Sequence, residues 1–444
     1  MKKRFLNAAA IIFLPAVMIN AQESKAKLDL TLAGAQDYAL QHNKSINSAN
    51  LDIKASKMAV WEAISAGLPN IASSGSFTDN LKQMVFLIPD FMGGDPTKKT
   101  PITMGSEYSA SVALQASMPL FNASYYVGIQ TSKLARKLSE MNAASTEIDV
   151  KETVASIYHL ILVSEESMKV LDGILGNMRE TLKATKAMFN VGMAESTDVD
   201  QMVSNVSVME NSRSSLERNI EMNYNLLRFQ LGVGMDTEIH LTETLDDIVG
   251  KVNVESLLSQ DFNLKQNITY QLVEGQESMM AQNLKMQKAA VLPSLAGVVS
   301  TTKTGMGDKL SEVNWYNSSL VGLQLSVPIV ASGQRYAKIK KARLNLENAA
   351  NTKAMVTDQL KLQEKQLRYN LVNANSQYKS QKENVDVSKR VYSSTENKYK
   401  QGMASSLDLT QANSLLLNAE NSYISALMNL LQTKLDLDKL LNNM

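Results

Sequence analysis

The 444-residue sequence contains no cysteine, which excludes disulfide bonds, thiolate metal sites, cysteine nucleophiles and a lipid-modified N-terminal cysteine. Basic and acidic residues almost balance, 45 against 44, so the net charge of +1 creates no field that would attract nucleic acid or an acidic partner. After the first residues, no stretch approaches the ~20 consecutive apolar residues of a membrane-spanning helix. Any part of the chain that spans a membrane is therefore expected to be made of strands.

Proline is scarce and unevenly distributed. Apart from Pro15, the 8 prolines all lie at 69–119 or 293–328. Helices exclude proline, whereas strand ends accept it. The distribution therefore predicts long helices interrupted by two β hairpins, at 70–118 and 294–327.

The start of the chain has the pattern of a secretory signal peptide. Residues 1–4 are basic, residues 5–19 are mainly apolar, and small residues near Ala21 offer a cleavage site. The alternative is a membrane anchor, but Asn7 and Pro15 break the short apolar run. We predict that residues 1–22 are a cleaved signal peptide, so that the mature chain leaves the cytoplasm.

One segment occurs twice, at 192–198 and 402–408, 210 positions apart. Each copy interrupts a long helical pattern at a glycine, Gly192 or Gly402, and continues through serine and aspartate into a new helical pattern. Two helical hairpins with tips near 192 and 402 are therefore predicted. A second repetition, 112–120 and 321–329, has five identical positions in nine.

These repetitions divide the chain into a first structural repeat at 23–231, a connecting segment at 232–262 and a second repeat at 263–444. Each repeat is predicted to contain a helix, a β hairpin and a long helical hairpin. The first helix is expected from Leu30 to about Ala66. The segment 79–106 is expected to be irregular, because it is rich in glycine and proline. A short strand is expected at 239–241.

The predicted strands alternate between apolar residues and small or polar residues, as Tyr108–Met118 illustrates. Four strands cannot close a barrel, so several chains would have to contribute to one. The alternative is a soluble β sandwich on a coiled coil. In the barrel interpretation, the polar residues that face the lumen are Ser109, Ser111, Gln115, Gln324 and Ser326.

Four short motifs, taken in order, resemble those of the TolC-like outer-membrane efflux proteins, and the resemblance extends over about residues 28–442. The motifs are Leu30-Thr31-Leu32 at the start, Leu68-Pro69 and Leu292-Pro293 before the strands, Val327-Pro328-Ile329 with Gly333-Gln334-Arg335 after them, and Tyr399 with Gly402 and Ser405-Ser406-Leu407-Asp408 at the tip. Each motif is weak alone, and their order and duplication carry the resemblance.

The resemblance implies a mostly α fold with membrane β structure. Long coiled-coil hairpins would form an α-barrel, and four strands per chain would contribute to a trimeric twelve-stranded β-barrel. It implies a passive exit duct in the outer membrane of a Gram-negative bacterium, with a large periplasmic part. The expected partners are a periplasmic adaptor, an inner-membrane pump of the RND, ABC or MFS type, and outer-membrane lipid. The duct would serve efflux or type I secretion.

The resemblance also suggests roles for residues at the tips. Asp408 matches the family's entrance carboxylate, and three copies would form an acidic ring. The predicted entrance residues are Asp408, Gln411 and Asp198, and the predicted adaptor contacts are Gly192, Met193, Gly402 and Met403. Some relatives have a second acidic residue at the position of Gln411, and the 402–411 tip lacks the arginine that locks other entrances. Both aspartates are alternatively helix caps, and both glycines simple turn residues.

No catalytic or metal-binding pattern is present in the sequence. The histidines, His42, His159 and His240, are far apart and have no neighbouring carboxylate pattern, and the 24 methionines are scattered at packing positions. We therefore predict no enzyme, no metal and no cofactor. The competing interpretations are a secreted periplasmic coiled-coil scaffold and a periplasmic adaptor, both without a pore.

Overall fold

The computed structural model describes residues 27–89 and 99–444, so the predicted signal peptide lies outside the described residues. The first half contains β1 (Lys27–Leu30), α1 (Leu32–His42), α2 (Lys44–Ser65), β2 (Asn70–Asp79), β3 (Met84–Pro89), β4 (Lys99–Met104), β5 (Tyr108–Phe121), α3 (Ala123–Asn190) and α4 (Ser196–Leu231). The second contains β6 (Glu238–Leu241), α5 (Leu245–Gly250), α6 (Val254–Ser259), α7 (Ile268–Ala289), β7 (Ser294–Gly307), β8 (Asn314–Ser326), α8 (Gln334–Lys400) and α9 (Ser406–Leu441).

The two predicted helical hairpins are confirmed as α3–α4 and α8–α9. Helix α3 has 68 residues and α8 has 67, so each extends about 100 Å at 1.5 Å per residue. Among residues 27–89 and 99–444, no helix combines the length and the apolar composition needed to cross a membrane. Helices this long depend on neighbouring helices for their stability, and here each hairpin packs its two arms together.

Four strands form one antiparallel sheet in the order β2-β5-β7-β8. Directly paired residues share a face, and the register therefore puts all five predicted lumen residues on the same face. The opposite face exposes large apolar side chains, among them Ile71, Val112, Leu114, Val321 and Leu323. Within the described residues, the outer edges of β2 and β8 have no strand beside them.

The predicted helix from Leu30 to about Ala66 is wrong in two respects. Leu30 ends β1, which pairs in parallel with β6, and Asn43 separates α1 from α2. The Asn43 side chain accepts a hydrogen bond from the Ser45 N–H at 2.7 Å and donates one to the Gln230 carbonyl at 2.7 Å. The break is therefore fixed by a partner 187 positions away.

The prediction that 79–106 is irregular also needs correction. Strands β3 and β4 pair in an antiparallel hairpin, with Leu87 opposite Pro101. Pro89 and Pro101 disfavour strands in a sequence pattern, yet proline is tolerated at strand ends and on edge strands, and this hairpin has its prolines at such positions. The hairpin exposes apolar side chains from both strands, including Phe86 and Ile102.

A large cluster of buried residues lies where β1 and β6 meet the long helices. Tyr158, Leu227 and Leu427 are fully buried in one cluster with residues of β1 and β6. The Tyr158 hydroxyl donates a hydrogen bond to the Leu30 carbonyl at 3.1 Å, and burial raises the pKa of Tyr158 to about 12. This cluster fastens the strand pair β1–β6 to three long helices.

His159, beside this cluster, is only 3% exposed, and neither of its ring nitrogens has a hydrogen-bond partner within the described part of the chain. Burial, helped by the charge of Lys434, lowers the pKa of His159 to about 4. The unfolded chain would bind this proton near pH 6.5, whereas the folded chain would not. The stability of the fold should therefore decrease as the pH falls from 6.5 to about 4.

Replacing His159 by leucine should remove this acid sensitivity. The unsubstituted protein should lose about 3 kcal/mol of unfolding free energy between pH 7 and pH 4 through this one group. The check is urea unfolding in detergent at several pH values. His240→Leu is the matched control, because His240 is exposed. An equal pH dependence in both variants would contradict the assignment.

Candidate functional site at the helical tips

Each helical hairpin turns through a glycine with a left-handed backbone, Gly192 at φ +77° and Gly402 at φ +72°. The residue after each glycine donates a hydrogen bond back to the preceding helix, from Met193 N to Met188 O and from Met403 N to Lys398 O, both at 2.8 Å. This is the Schellman arrangement that ends a helix. Both methionine side chains are exposed at the tips.

The structural role of Gly402 can be tested by a pair of alanine substitutions with opposite expected signs. Gly402→Ala should destabilise the protein by about 1 kcal/mol, because a side chain is strained at positive φ even though nothing lies within 4 Å of the new Cβ. Gly173→Ala, inside α3 with equally open surroundings, should stabilise it by about 0.5–1 kcal/mol. Thermal unfolding in detergent measures both. Two shifts of the same sign would contradict this interpretation.

Asp408 is the third residue of α9 and forms a capping box with Ser405, the N-cap residue. Its Oδ2 accepts hydrogen bonds from Ser405 N at 2.9 Å and Ser405 Oγ at 2.7 Å, while its own N–H donates to Ser405 Oγ at 3.1 Å. The hydrogen bonds from the Ser405 backbone and hydroxyl lower the pKa of Asp408 below its usual range. The carboxylate is exposed and stays ionised at neutral pH.

Asp198 is the equivalent residue of the first hairpin and makes one contact more. Its Oδ2 accepts a hydrogen bond from Glu195 N at 3.1 Å, so it also belongs to a cap. Its Oδ1 accepts a short hydrogen bond from the Ser406 hydroxyl of α9. Asp198 therefore links the two hairpins of the chain. Gln411, by contrast, is exposed on α9, one turn beyond Asp408.

Other side chains join the hairpins at the tips, and the sequence patterns did not predict these contacts. The Thr185 and Tyr399 hydroxyls are 2.7 Å apart in a buried contact between α3 and α8. The Asn205 amide donates to Thr410 Oγ1 at 3.0 Å between α4 and α9. Tyr399 stood out in the sequence only as an aromatic residue before the repeat, and its partner Thr185 gave no signal.

The tips also share an apolar core. Ile174, Leu175 and Met178 of α3 pack with Tyr392 of α8 and Leu416 of α9. No group of three or more His, Cys, Asp or Glu residues within the described ranges is arranged to hold a metal ion. The site is therefore formed by the tips of two packed helical hairpins, each with a capping aspartate. It can act through its charge and through surface contacts.

The sequence profile of the family described as "Outer membrane efflux protein" matches residues 36–233 and 274–443. Because this match covers most of the chain, the protein belongs to the outer membrane efflux protein family, whose members are outer-membrane proteins. The resemblance inferred from the motifs is thereby confirmed.

Individual proteins agree with this assignment. The chain is 20% identical over 235 residues to the outer membrane protein TolC of Vibrio cholerae, and the alignment spans about half of each protein, 52% of this chain and 53% of TolC. The fold is similar to that of VceC from Vibrio cholerae, at a TM-score of 0.71 and 15% identity over 92% of this chain and 95% of VceC. It is also similar to the CmeC channel of Campylobacter jejuni, at 0.70 and 17% identity over 99% and 94%. The fold class is confirmed.

Proposed function

We propose that the protein is a trimeric, passive exit duct of the outer membrane. The observation that carries the proposal is the four-stranded sheet, which has an apolar exposed face, a polar opposite face and two open edges. In lipid, open edges would leave backbone groups without hydrogen bonds. When three chains close a twelve-stranded barrel, β8 of one copy pairs with β2 of the next, and the backbone groups of both edges form hydrogen bonds.

The polar face then lines the lumen, where Ser111 and Gln115 contact water. The helical hairpins continue the lumen as a tunnel into the periplasm. The long helices expose large apolar side chains, among them Met222 and Phe229 of α4 and Met355 and Tyr369 of α8. This exposure supports an assembly in which neighbouring copies cover the long helices.

The tips are the proposed entrance and docking site. Three copies of Asp408 would form an acidic ring that favours cations, with Gln411 one turn beyond and Asp198 at the junction of the hairpins. The exposed Met193 and Met403 offer apolar contacts to a periplasmic adaptor. An inner-membrane pump would supply the energy and most of the selection of substrates, and the duct itself would carry out no catalysis.

The assembly is tested on purified protein in detergent. The expected result is a trimer by light scattering, recovered from outer-membrane fractions and resistant to SDS until it is heated. A monomer released in soluble form from the periplasm would overturn the duct and favour a secreted scaffold. Deletion of the gene should sensitise the cells to exported toxic compounds, and expression of the protein should restore resistance.

A further inference from the structure

The internal repeat relates the two helical hairpins residue by residue and reproduces an ion pair. Arg179 contacts Glu210 at 2.6 Å in the first hairpin, and Lys389 contacts Glu420 at 3.0 Å in the second. Their surroundings differ, because the side chain of Glu210 is 46% exposed and that of Glu420 is 8% exposed. The surface of α9 around Glu420 is therefore covered within the chain, whereas the equivalent surface of α4 around Glu210 is exposed.

Residues spaced seven apart define that surface. Ser406, Asn413 and Glu420 of α9 are buried. The first two meet the first hairpin, where Ser406 contacts Asp198 and the Asn413 amide lies 3.7 Å from the sulfur of Met178. The α4 counterparts of these three residues are Ser196, Val203 and Glu210. We call them the α4 stripe. Ser196 and Val203 are exposed, and Glu210 is partly exposed.

We infer that the α4 stripe docks against the α8–α9 hairpin of a second copy, and that Ser196 of one copy donates a hydrogen bond to Asp408 of the next. The contact repeats the one between Ser406 and Asp198 within the chain. Oδ2 of Asp408 serves its own helix cap, and within the described part of the chain Oδ1 has no hydrogen-bond partner. The inference rests on the proposed trimer and adds the residues that join its copies at the entrance.

The two kinds of junction differ in strength. Inside the chain, the Ser406–Asp198 contact is supported by the pairs Thr185–Tyr399 and Asn205–Thr410. At the positions equivalent to these supporting pairs, the junction between copies has Thr395 with Phe189 and Leu415 with Asp200. Neither combination can form the corresponding hydrogen bond, because phenylalanine and leucine have no polar side-chain atom.

Of the three polar contacts that join the hairpins within a chain, the Ser406–Asp198 contact is therefore the one whose equivalent, Ser196–Asp408, can form between copies at the tips. Three polar contacts hold the two hairpins of one chain together, whereas one joins neighbouring copies, so we expect the entrance to open between copies.

Disulfide cross-linking tests this inference directly, since the chain contains no cysteine of its own. The paired substitutions Ser196→Cys and Asp408→Cys should yield covalent dimers and trimers on oxidation, together with a loss of channel conductance that a reductant restores. Either substitution alone should give no cross-link. The matched pair, Asn205→Cys with Thr410→Cys, replaces two side chains that meet at 3.0 Å within one chain. It should form a disulfide within that chain, protect both thiols from a maleimide reagent and leave the conductance intact.

Trimers without a Ser196–Asp408 cross-link would overturn the inference and leave the duct standing, whereas absence of trimers from the unsubstituted protein would overturn both. A blocked channel in the Asn205–Thr410 pair would contradict an opening between copies that leaves the two hairpins of each chain together. A second variant, Ser196→Asp, leaves Asp408 and its helix cap unchanged. Because it places two carboxylates together, it should lower the resistance of the trimer to SDS. Thr197→Asp is the control and should leave that resistance unchanged; equal effects of the two substitutions would contradict the contact.

Discussion

Replacing Asp408 by asparagine should weaken the block of the channel by a trivalent cation at least about tenfold, because three carboxylates at one constriction concentrate cations there. Asparagine keeps a side-chain oxygen that can accept the hydrogen bond from Ser405 N, so the substitution removes the charge and retains the cap. The measurement is the blocking concentration of hexaamminecobalt on single channels in planar bilayers. Asp408→Ala should show the same loss of block.

The pH dependence provides a second check on this carboxylate. The hydrogen bonds from Ser405 lower the pKa of Asp408, so its charge and the block should persist at pH 5 and disappear only below the usual range of an aspartate. Asp358→Ala is the matched control, because Asp358 is a highly exposed carboxylate on α8, far from the tip. Unchanged block in Asp408→Asn, or equal loss in the control, would move the selective constriction elsewhere.

Replacing Arg368 by methionine should reduce the free energy of unfolding by about 3–5 kcal/mol. The guanidinium of this α8 residue donates hydrogen bonds to the carbonyls of Leu258 at 2.6 Å and Gln260 at 2.5 Å, and it pairs with Glu364. Methionine leaves the partly buried Leu258 carbonyl and the Glu364 carboxylate without their donor, and it also removes the exposed hydrogen bond to Gln260. Urea unfolding in detergent measures the loss.

The control for this prediction is Arg213→Met. Arg213 pairs with Asp172 at 2.7 Å and Glu217 at 3.1 Å, but all three side chains are well exposed. Exposed ion pairs contribute only ~0–1 kcal/mol, so the control should lose little stability. A large loss of stability in Arg213→Met together with a small loss in Arg368→Met would contradict this prediction. It would mean that the exposed ion pairs contribute more than the Arg368 hydrogen bonds to backbone carbonyls.

The long helices and the strands of the main sheet were predictable, because each is specified by local pattern. The absence of proline over 123–190 and 334–400 permits the helices, and alternation in Tyr108–Met118 indicates a strand with two different faces. The break at Asn43 was not predictable, since its amide is held by Gln230, far away in the sequence. Strand β1 has four residues, and β6, the strand with which it pairs, is likewise far away in the sequence.

At the tips, the sequence repeat identified Gly192, Gly402, Asp198 and Asp408, and the structure puts all four at the ends of the long helices. It did not identify which hairpin contacts which. The Ser406–Asp198 and Thr185–Tyr399 contacts depend on how two hairpins lie side by side, and a single-chain pattern of repeats contains no such information. The roles of these residues in gating and adaptor contact are proposals.

The central claim, that this chain assembles into a duct, is tested most directly by single-channel recording. Mature protein purified in detergent and shown to be trimeric would be added to a planar bilayer. We predict discrete conductance steps with a preference for cations, and a reduced preference in Asp408→Asn. A folded trimer that gives no conductance steps, even when the Ser196–Asp408 contact is removed by Ser196→Ala, would contradict the claim.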